Sequence, residues 1–324
     1  MNNRIAFVVP YFGKFNNYFP LFLKSCEANS DLCDWIIFTD DKTKYVYPNN
    51  VKVNYLEWDE MKKVISRKFK GKFTIERPYK LCDYKPAYGF LFAEYLSEYM
   101  FWGHCDVDLI FGKISEFLSI EFLDKFDKIF NLGHCTIFRN NTYVNKAFML
   151  PLKGRKRFIE VYNDKKNCSF DEEYNDSIND IFIENGLTIF EQSFAANIYT
   201  KSSNFVLTNM SEDKRHYVVE KRIDSLFLWN RGRVIRYFIV DNVLVEQEYL
   251  YIHFQSRPML VKNIDAIIQS NVYKMIPNAF ELLEVNDVSK DIFKKIKKKY
   301  VNMHYFRLRL KNLKIKFENK MKRG

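Results

Sequence analysis

Asp106 and Asp108 stand one residue apart in FWGHCDVDLIFG, at residues 101–112. Neutralising two such carboxylates takes a cation. Oxygen ligands of this kind suit Mg²⁺ or Mn²⁺, which in turn can bridge the phosphates of a nucleotide. The tripeptide alone says little. Twenty aspartates in 324 residues give on the order of one D-x-D by chance, and two exposed acids on a solvated turn would look the same. The setting says more. MFWG reads as a buried strand that delivers both acids at its C-terminal end, where open α/β sheets bind ligands.

The elements around that strand predict an α/β chain. IAFVV at 5–9 is an apolar run fit for a buried strand, ended by Pro10 and Gly13. YFPLFLKSCEAN reads as a helix, DWIIFTDD as a second strand closing on Asp40 and Asp41, and VKVNYLEW as a third. WDEMKKVISRKF has helical spacing. After a loop with Pro78 and Pro86, AYGFLFAEYLSEYM reads as one helix leading into the D-x-D strand. DKIFNLG and HCTIFRN look like short strands, and NDSINDIFIENG like a helix stopped by Gly186. From residue 225 the text turns strand-like, with RGR and DN as turns.

The net charge of +11 lies wholly in the tail: residues 289–324 balance to +12 and residues 1–288 to −1. A nucleic-acid binder would have a basic body, and this body is neutral. In the tail, Ile292, Ile296, Tyr300, Met303, Phe306, Leu310, Leu313, Phe317 and Met321 advance by threes and fours, the stripe of a single helix. A basic amphipathic helix of this kind fits an anionic leaflet; a helix docked on the domain or a partner is the alternative. The opening MNNRIAFVVP is too short for a signal-peptide core, and no long apolar run follows. Six scattered cysteines without a C-x-x-C pair predict free thiols in a reducing compartment.

The block DYKPAYGFLFAEYLSEYMFWGHCDVDLIFG, with the opening VVPYFGKFNNYFPLFLKSCEAN and the strand DWIIFTDD, resembles GT-A glycosyltransferases encoded in bacterial surface-polysaccharide loci. The resemblance spans about residues 4–140. It implies a GT-A fold, a Rossmann-like mixed sheet flanked by helices, over residues 1–270, with 271–324 as the helical basic tail. It also implies a nucleotide-sugar donor, Mn²⁺ or Mg²⁺ on Asp106 and Asp108, and a nucleoside against Pro10, Tyr11 and Phe12. Asp40 would lie near the base and Lys85 near the ribose or diphosphate. Asp106 would face the nucleotide side, and Asp108 would hold the cation most directly.

YIHFQSRPM at 251–259 is a second island. Many metal-dependent GT-A enzymes return a late histidine to the cation with a cationic residue nearby, which His253 and Arg257 match. Retaining relatives carry lysine, proline and tryptophan downstream of that histidine. Arg257, Pro258 and Met259 stand here instead, so stereochemistry is not carried over. Inversion needs a carboxylate within reach of the acceptor hydroxyl. Asp171 and Glu172, in FDEEYND, rank above Glu191, in FEQSFAAN, for that role. Taken singly, each is also an ordinary charge at a helix N-terminus. His134 falls where the fold lines the donor sugar.

The expected function is transfer of a sugar, from a UDP-sugar, to a lipid-linked glycan in capsule or surface-polysaccharide synthesis. The expected place is the cytoplasmic face of the plasma membrane, bound peripherally and without nucleic acid. A metal-dependent phosphotransferase or nucleotidyl enzyme is the alternative chemistry, and a non-catalytic membrane adaptor the alternative class.

Overall fold

The apolar runs become strands buried on both faces. The computed structural model describes residues 2–172, 174–212, 216–285, 287–300 and 303–321. Strands β1 (Asn2–Pro10), β2 (Cys33–Thr39), β3 (Val51–Tyr55) and β4 (Tyr99–Cys105) run parallel. After β5 (Leu109–Phe111), the chain adds β6 (Lys128–Ile129), β7 (Cys135–Arg139) and β8 (Ile189–Phe190) to the same sheet. Its order is β3-β2-β1-β4-β7-β6-β8, with β7 antiparallel to β4. The α/β expectation therefore holds: the sheet is mixed and helices flank it.

Ile5, Phe7 and Val9 of β1 join Trp35 and Ile37 under the helix Phe19–Glu27. Ala6 and Val8 join Ile36 and Phe38 beneath the helix Trp58–Lys68 and residues 78–96. A strand covered on both faces reads as a continuous apolar run rather than an alternating one. The chain leaves β1 toward β2 and β3, then returns to β4 on the other side of β1. The crevice at the carboxyl ends of β1 and β4 is thus the topological switch point.

A second, small sheet carries the late histidine. β15 (Tyr251–His253) pairs antiparallel with β5 and parallel with β9 (Ala195–Asn197). The third unit is a six-stranded sheet built on a three-strand meander, in the order β14-β13-β12-β17-β18-β16, with β16 parallel to β18. Its strands are β12 (Ser225–Asn230), β13 (Arg233–Val240), β14 (Val243–Tyr249), β16 (Leu260–Val261), β17 (Val272–Ile276) and β18 (Ala279–Leu282). Positive φ at Arg231, Gly232, Asp241 and Asn242 makes its first two turns tight. β10 (Thr208–Met210) and β11 (Tyr217–Val219) form a separate hairpin.

Three expectations about elements change. AYGFLFAEYLSEYM is not one helix but two single turns, Tyr88–Leu91 and Ala93–Leu96. They break at Phe92, whose ring stacks on Phe38 at 4.5 Å. The tail does not begin at residue 271, because β17 pairs with β12 inside the six-stranded sheet. Nor does its apolar stripe lie on one helix. The helix Lys290–Lys295 ends at Ile296, whose ψ of 132° is extended, and a second helix, Met303–Met321, follows. Ile292, Ile296 and Tyr300 pack against the meander, while Met303, Phe306, Leu310 and Leu313 are exposed. The side chains of Phe317 and Met321 lie outside the described residues. Among the described residues, no helix is long and apolar enough to cross a membrane.

Candidate functional site

Residues 106–108 join β4 to β5, with Val107 and Asp108 in a turn. Val107 is buried in the core between the two acids, and Asp106 and Asp108 both line the crevice beyond β4. The amide of Asp106 donates to the carbonyl of His134 at 2.9 Å, so the ladder between β4 and β7 continues into the motif. β5 then brings in the histidine: register sets His253 opposite Leu109 on one side and Asn197 on the other. The sheet, not a flexible loop, sets the distance between Asp108 and His253.

Asp106, Asp108 and His253 each offer one ligand atom, all within 4.8 Å of one another. His253 Nε2 lies 3.5 Å from Asp108 Oδ1 and 3.9 Å from Asp106 Oδ2. Its Nδ1 lies 3.0 Å from Asn197 Oδ1, which also accepts from Gln255 Nε2 at 2.7 Å. An acceptor there places the neutral ring's proton on Nδ1 and leaves the Nε2 lone pair facing the carboxylates. Two carboxylate oxygens and an imidazole nitrogen fit Mn²⁺ or Mg²⁺. Burial opposes the charge on His253, but Asp108 and Asp106 outweigh it and raise the imidazole above its usual range. Burial also opposes ionisation of Asp108; His253 and the Ser256 amide, which donates to Oδ2, hold that carboxyl below its usual range.

The cluster opens into a cavity of about 1160 Å³. On the Asp106 side, Lys85 Nζ donates to Asp106 Oδ1 at 2.8 Å and to the Gly133 carbonyl at 2.7 Å, and lies 3.2 Å from Asp171 Oδ2. Burial opposes its charge, but Asp106 and Asp171 outweigh that and hold the ammonium well above its usual range. Glu172 Oε2 accepts from the Gly133 amide at 3.2 Å. A Cβ at 133 would meet the Asp171 carboxylate, so glycine there lets the carboxylate approach the main chain. Burial first, then repulsion from Glu172 and Asp106, pushes Asp171 up to about 7 against the pull of Lys85.

On the Asp108 side stands Arg257. Its guanidinium donates to the carbonyls of Ser202 at 2.6 Å and Tyr199 at 3.3 Å. One of its nitrogens is buried without a partner, and among the described residues no carboxylate pairs with it. Burial lowers it to about 10. A buried cation in this state is an anion site in waiting.

The remaining candidates divide. Pro10, Tyr11 and Phe12 line the cavity. His134 lies beside His253, ring centroids 4.4 Å apart, with Nδ1 2.9 Å from the Tyr251 hydroxyl. Burial, then His253 and Lys85, keep it well below its usual range and hence neutral. Asp40 is not brought to the cavity; it accepts from the Gly13 amide at 2.7 Å and shapes the turn after β1. Glu191 bonds the Tyr174 hydroxyl away from the cavity, and Glu173 lies outside the described residues. The two acids look to different sides of the cavity. Asp106 faces Lys85 and Asp171, whereas Asp108 faces Ser256 and the side where Tyr11 and Arg257 stand.

Sequence reasoning missed Asn197, Ser256 and Asp83. Asn197 closes the FEQSFAAN stretch and was within sight; Ser256 acts through a backbone amide that no residue type reveals. Asp83 is fully buried and fixes the loop that carries Asp171. It accepts from Lys80 Nζ at 2.7 Å and from the amides of Cys168 and Phe170 at 3.0 and 3.2 Å. Asp83→Ala strands a buried ammonium and two amides, and is expected to cost about 3–5 kcal/mol of stability, read by urea denaturation. Unfolding curves that superpose on wild type would refute this.

No curated protein matches the sequence. Residues 7–284, a span that holds the D-x-D, His253 and Arg257, match a family of unknown function, DUF6625. The match takes in most of the chain, and the protein belongs to the DUF6625 family.

Proposed function

We propose that the protein is a metal-dependent glycosyltransferase of GT-A architecture that moves a sugar from a nucleotide-sugar, a UDP-sugar, to a lipid-linked glycan acceptor in bacterial capsule or surface-polysaccharide synthesis. The observation that carries the reading is the Asp106, Asp108 and His253 cluster at the switch point, with a cation on each flank: Lys85 against Asp106, and Arg257 beyond Ser256. The parallel β3-β2-β1-β4 half of the sheet supports it, as does Pro10, Tyr11 and Phe12 lining the same cavity.

Bound Mn²⁺ or Mg²⁺ would supply positive charge for the diphosphate and for the nucleotide as it departs. The chain's own residues do the rest. Arg257 offers its unpartnered N–H to phosphate oxygen. Lys85 holds Asp106 in place and balances the carboxylates around it. The acceptor hydroxyl oxygen bonds the anomeric carbon, and the bond from that carbon to the diphosphate oxygen breaks. The electron pair leaves with the nucleotide, and the hydroxyl proton passes to Asp171, whose carboxyl burial raises to about 7.

The test is a screen of UDP-, GDP- and CMP-sugars for Mn²⁺-dependent hydrolysis and thermal shift. Turnover or a shift with one donor class is the expected result. Silence with all of them would defeat the proposal.

The helix Met303–Met321 supports peripheral attachment to the cytoplasmic face of the plasma membrane, with Phe306, Leu310 and Leu313 exposed among Arg307, Arg309, Lys311 and Lys314. Each basic residue near an anionic leaflet contributes about 1 kcal/mol. Full-length protein is expected to co-sediment with phosphatidylglycerol vesicles but not with phosphatidylcholine alone. A chain ending at residue 300 should stay in the supernatant with both. Equal sedimentation of the two chains would remove the tail from the membrane.

A further inference from the structure

The cavity is larger than one ligand needs. At about 1160 Å³ it exceeds the roughly 300–1000 Å³ in which a single drug-sized ligand is buried, and its two flanks differ in chemistry. Tyr11 and Tyr18 line the cavity with Asp108, Ser256 and Arg257, and the Tyr11 hydroxyl donates to the Lys14 carbonyl at 3.1 Å. Tyr79 belongs to the other flank: it lines the cavity from the helical segment Pro78–Ala87, which also carries Lys85 to Asp106 at 2.8 Å. The Asp108 flank, with its buried guanidinium, suits a phosphate. On the Asp106 flank the Lys85 ammonium already pairs with Asp106 and Asp171, so its charge is compensated before a phosphate arrives.

Tyr79 is 69% exposed, the most exposed aromatic side chain among the described residues, yet it lines the cavity. Its exposure is not slackness of the backbone. The Tyr79 carbonyl accepts from Asn167 Nδ2 at 3.1 Å, and Asn167 Oδ1 accepts from Arg77 at 2.7 Å. The next residue, Lys80, is buried in its ion pair with Asp83. The rim is thus clamped from both sides through main chain and amides. Among the described residues the ring of Tyr79 stacks on no other aromatic and its hydroxyl makes no hydrogen bond. The ring is held out on a rigid frame rather than packed.

An aromatic face beside carboxylates and an amide matches one ligand class. A pyranose has an apolar C–H face for the ring and an edge of hydroxyls for hydrogen bonds. Resting on the transferase reading above, we propose that the arm of the cavity walled by Tyr79, Asn167 and Glu172 is the acceptor subsite, in which the Tyr79 ring stacks on an uncharged pyranose. The sugar hydroxyls there face Glu172 and Asp171, so the attacking hydroxyl sits on the side of the raised carboxyl. The anionic donor stays on the Arg257 flank.

The experiment is saturation-transfer NMR on the full chain with methyl glycosides of glucose, galactose, mannose and N-acetylglucosamine, in wild type, Tyr79→Phe and Tyr79→Ala. At least one glycoside should bind wild type and Tyr79→Phe equally, and bind Tyr79→Ala at least ten-fold more weakly. Saturating UDP with Mn²⁺ should leave that signal in place. No binding by any glycoside, binding indifferent to Tyr79→Ala, or displacement by UDP would each overturn the subsite. Mn²⁺-dependent donor hydrolysis, run in parallel, separates the two claims. If hydrolysis is absent while the Tyr79-dependent signal persists, the transferase reading fails and a saccharide site stands. If hydrolysis is present with a Tyr79-independent signal, only the subsite falls.

Discussion

Asp108→Asn is expected to lose Mn²⁺ affinity by more than 100-fold, and donor turnover with it, while the protein still folds. The asparagine retains an oxygen for the Ser256 amide, so the bond that ties the motif to the loop after β15 survives. What goes is one negative charge and one ligand atom facing His253 Nε2 at 3.5 Å. Outer partners of metal ligands typically contribute about 10–100-fold in affinity, and a ligand itself contributes more. Asn197→Ala supplies the graded comparison: it frees the His253 ring from its Nδ1 acceptor and should fall within that 10–100-fold range. Binding should also weaken as pH falls, because the raised His253 imidazole takes up a proton that a cation must displace. Calorimetric Mn²⁺ titration at two pH values, with melting curves for each variant, reads all three effects. An Asp108→Asn protein that binds Mn²⁺ like wild type would place the cation elsewhere.

Part of this was legible in the residues alone. Continuous apolar runs ended by Pro10, Asp40 and Asp106 marked three strands of a buried sheet, because strands covered on both faces leave that trace. The tail shows the limit of such patterns. Its 3.6-residue spacing picked out Ile292, Ile296 and Tyr300, which do face one way, but passed over the buried Phe293. Periodicity records where side chains are needed, however, not whether the backbone between them is continuous. The meander offered its own apolar face, and the chain bent at Ile296 to cover it. The site divides along the same line. Two carboxylates and a histidine have chemistry in their names, so Asp106, Asp108 and His253 could be picked out. Their mutual distance depends on the register of β15 between β5 and β9, a relation across more than a hundred residues that no local spacing encodes. Asp40 failed as a candidate because its carboxylate is used by the Gly13 amide, 27 residues away in the sequence, in the turn after β1.

Asp171 gives the second large effect, and its sign can be worked out from burial. The carboxyl sits at about 7 in the folded chain against an ordinary 3.8. As a general base it must be ionised, so kcat/KM for transfer should rise with pH through about 7 and level off above it. Asp171→Asn should be slower by about 10²–10⁴-fold, the usual contribution of a positioned base, and its residual rate should lack that rise. Stability moves the other way. Between the ordinary value and about 7 the folded chain keeps a proton that the unfolded chain has lost. This group's contribution is therefore full below the ordinary value, fades as pH climbs to about 7, and stays constant beyond. Asp171→Asn removes that slope. The difference in unfolding free energy, wild type minus variant, should fall between about pH 4 and 7 and flatten above. The two profiles share one inflection because they report one carboxyl in its burial beside Glu172, with Lys85 3.2 Å away. A rate profile that rises with no matching bend in the stability difference would assign the base to another group. A bend in stability with a flat rate would leave Asp171 as a partner of Lys85 that takes no proton from the acceptor.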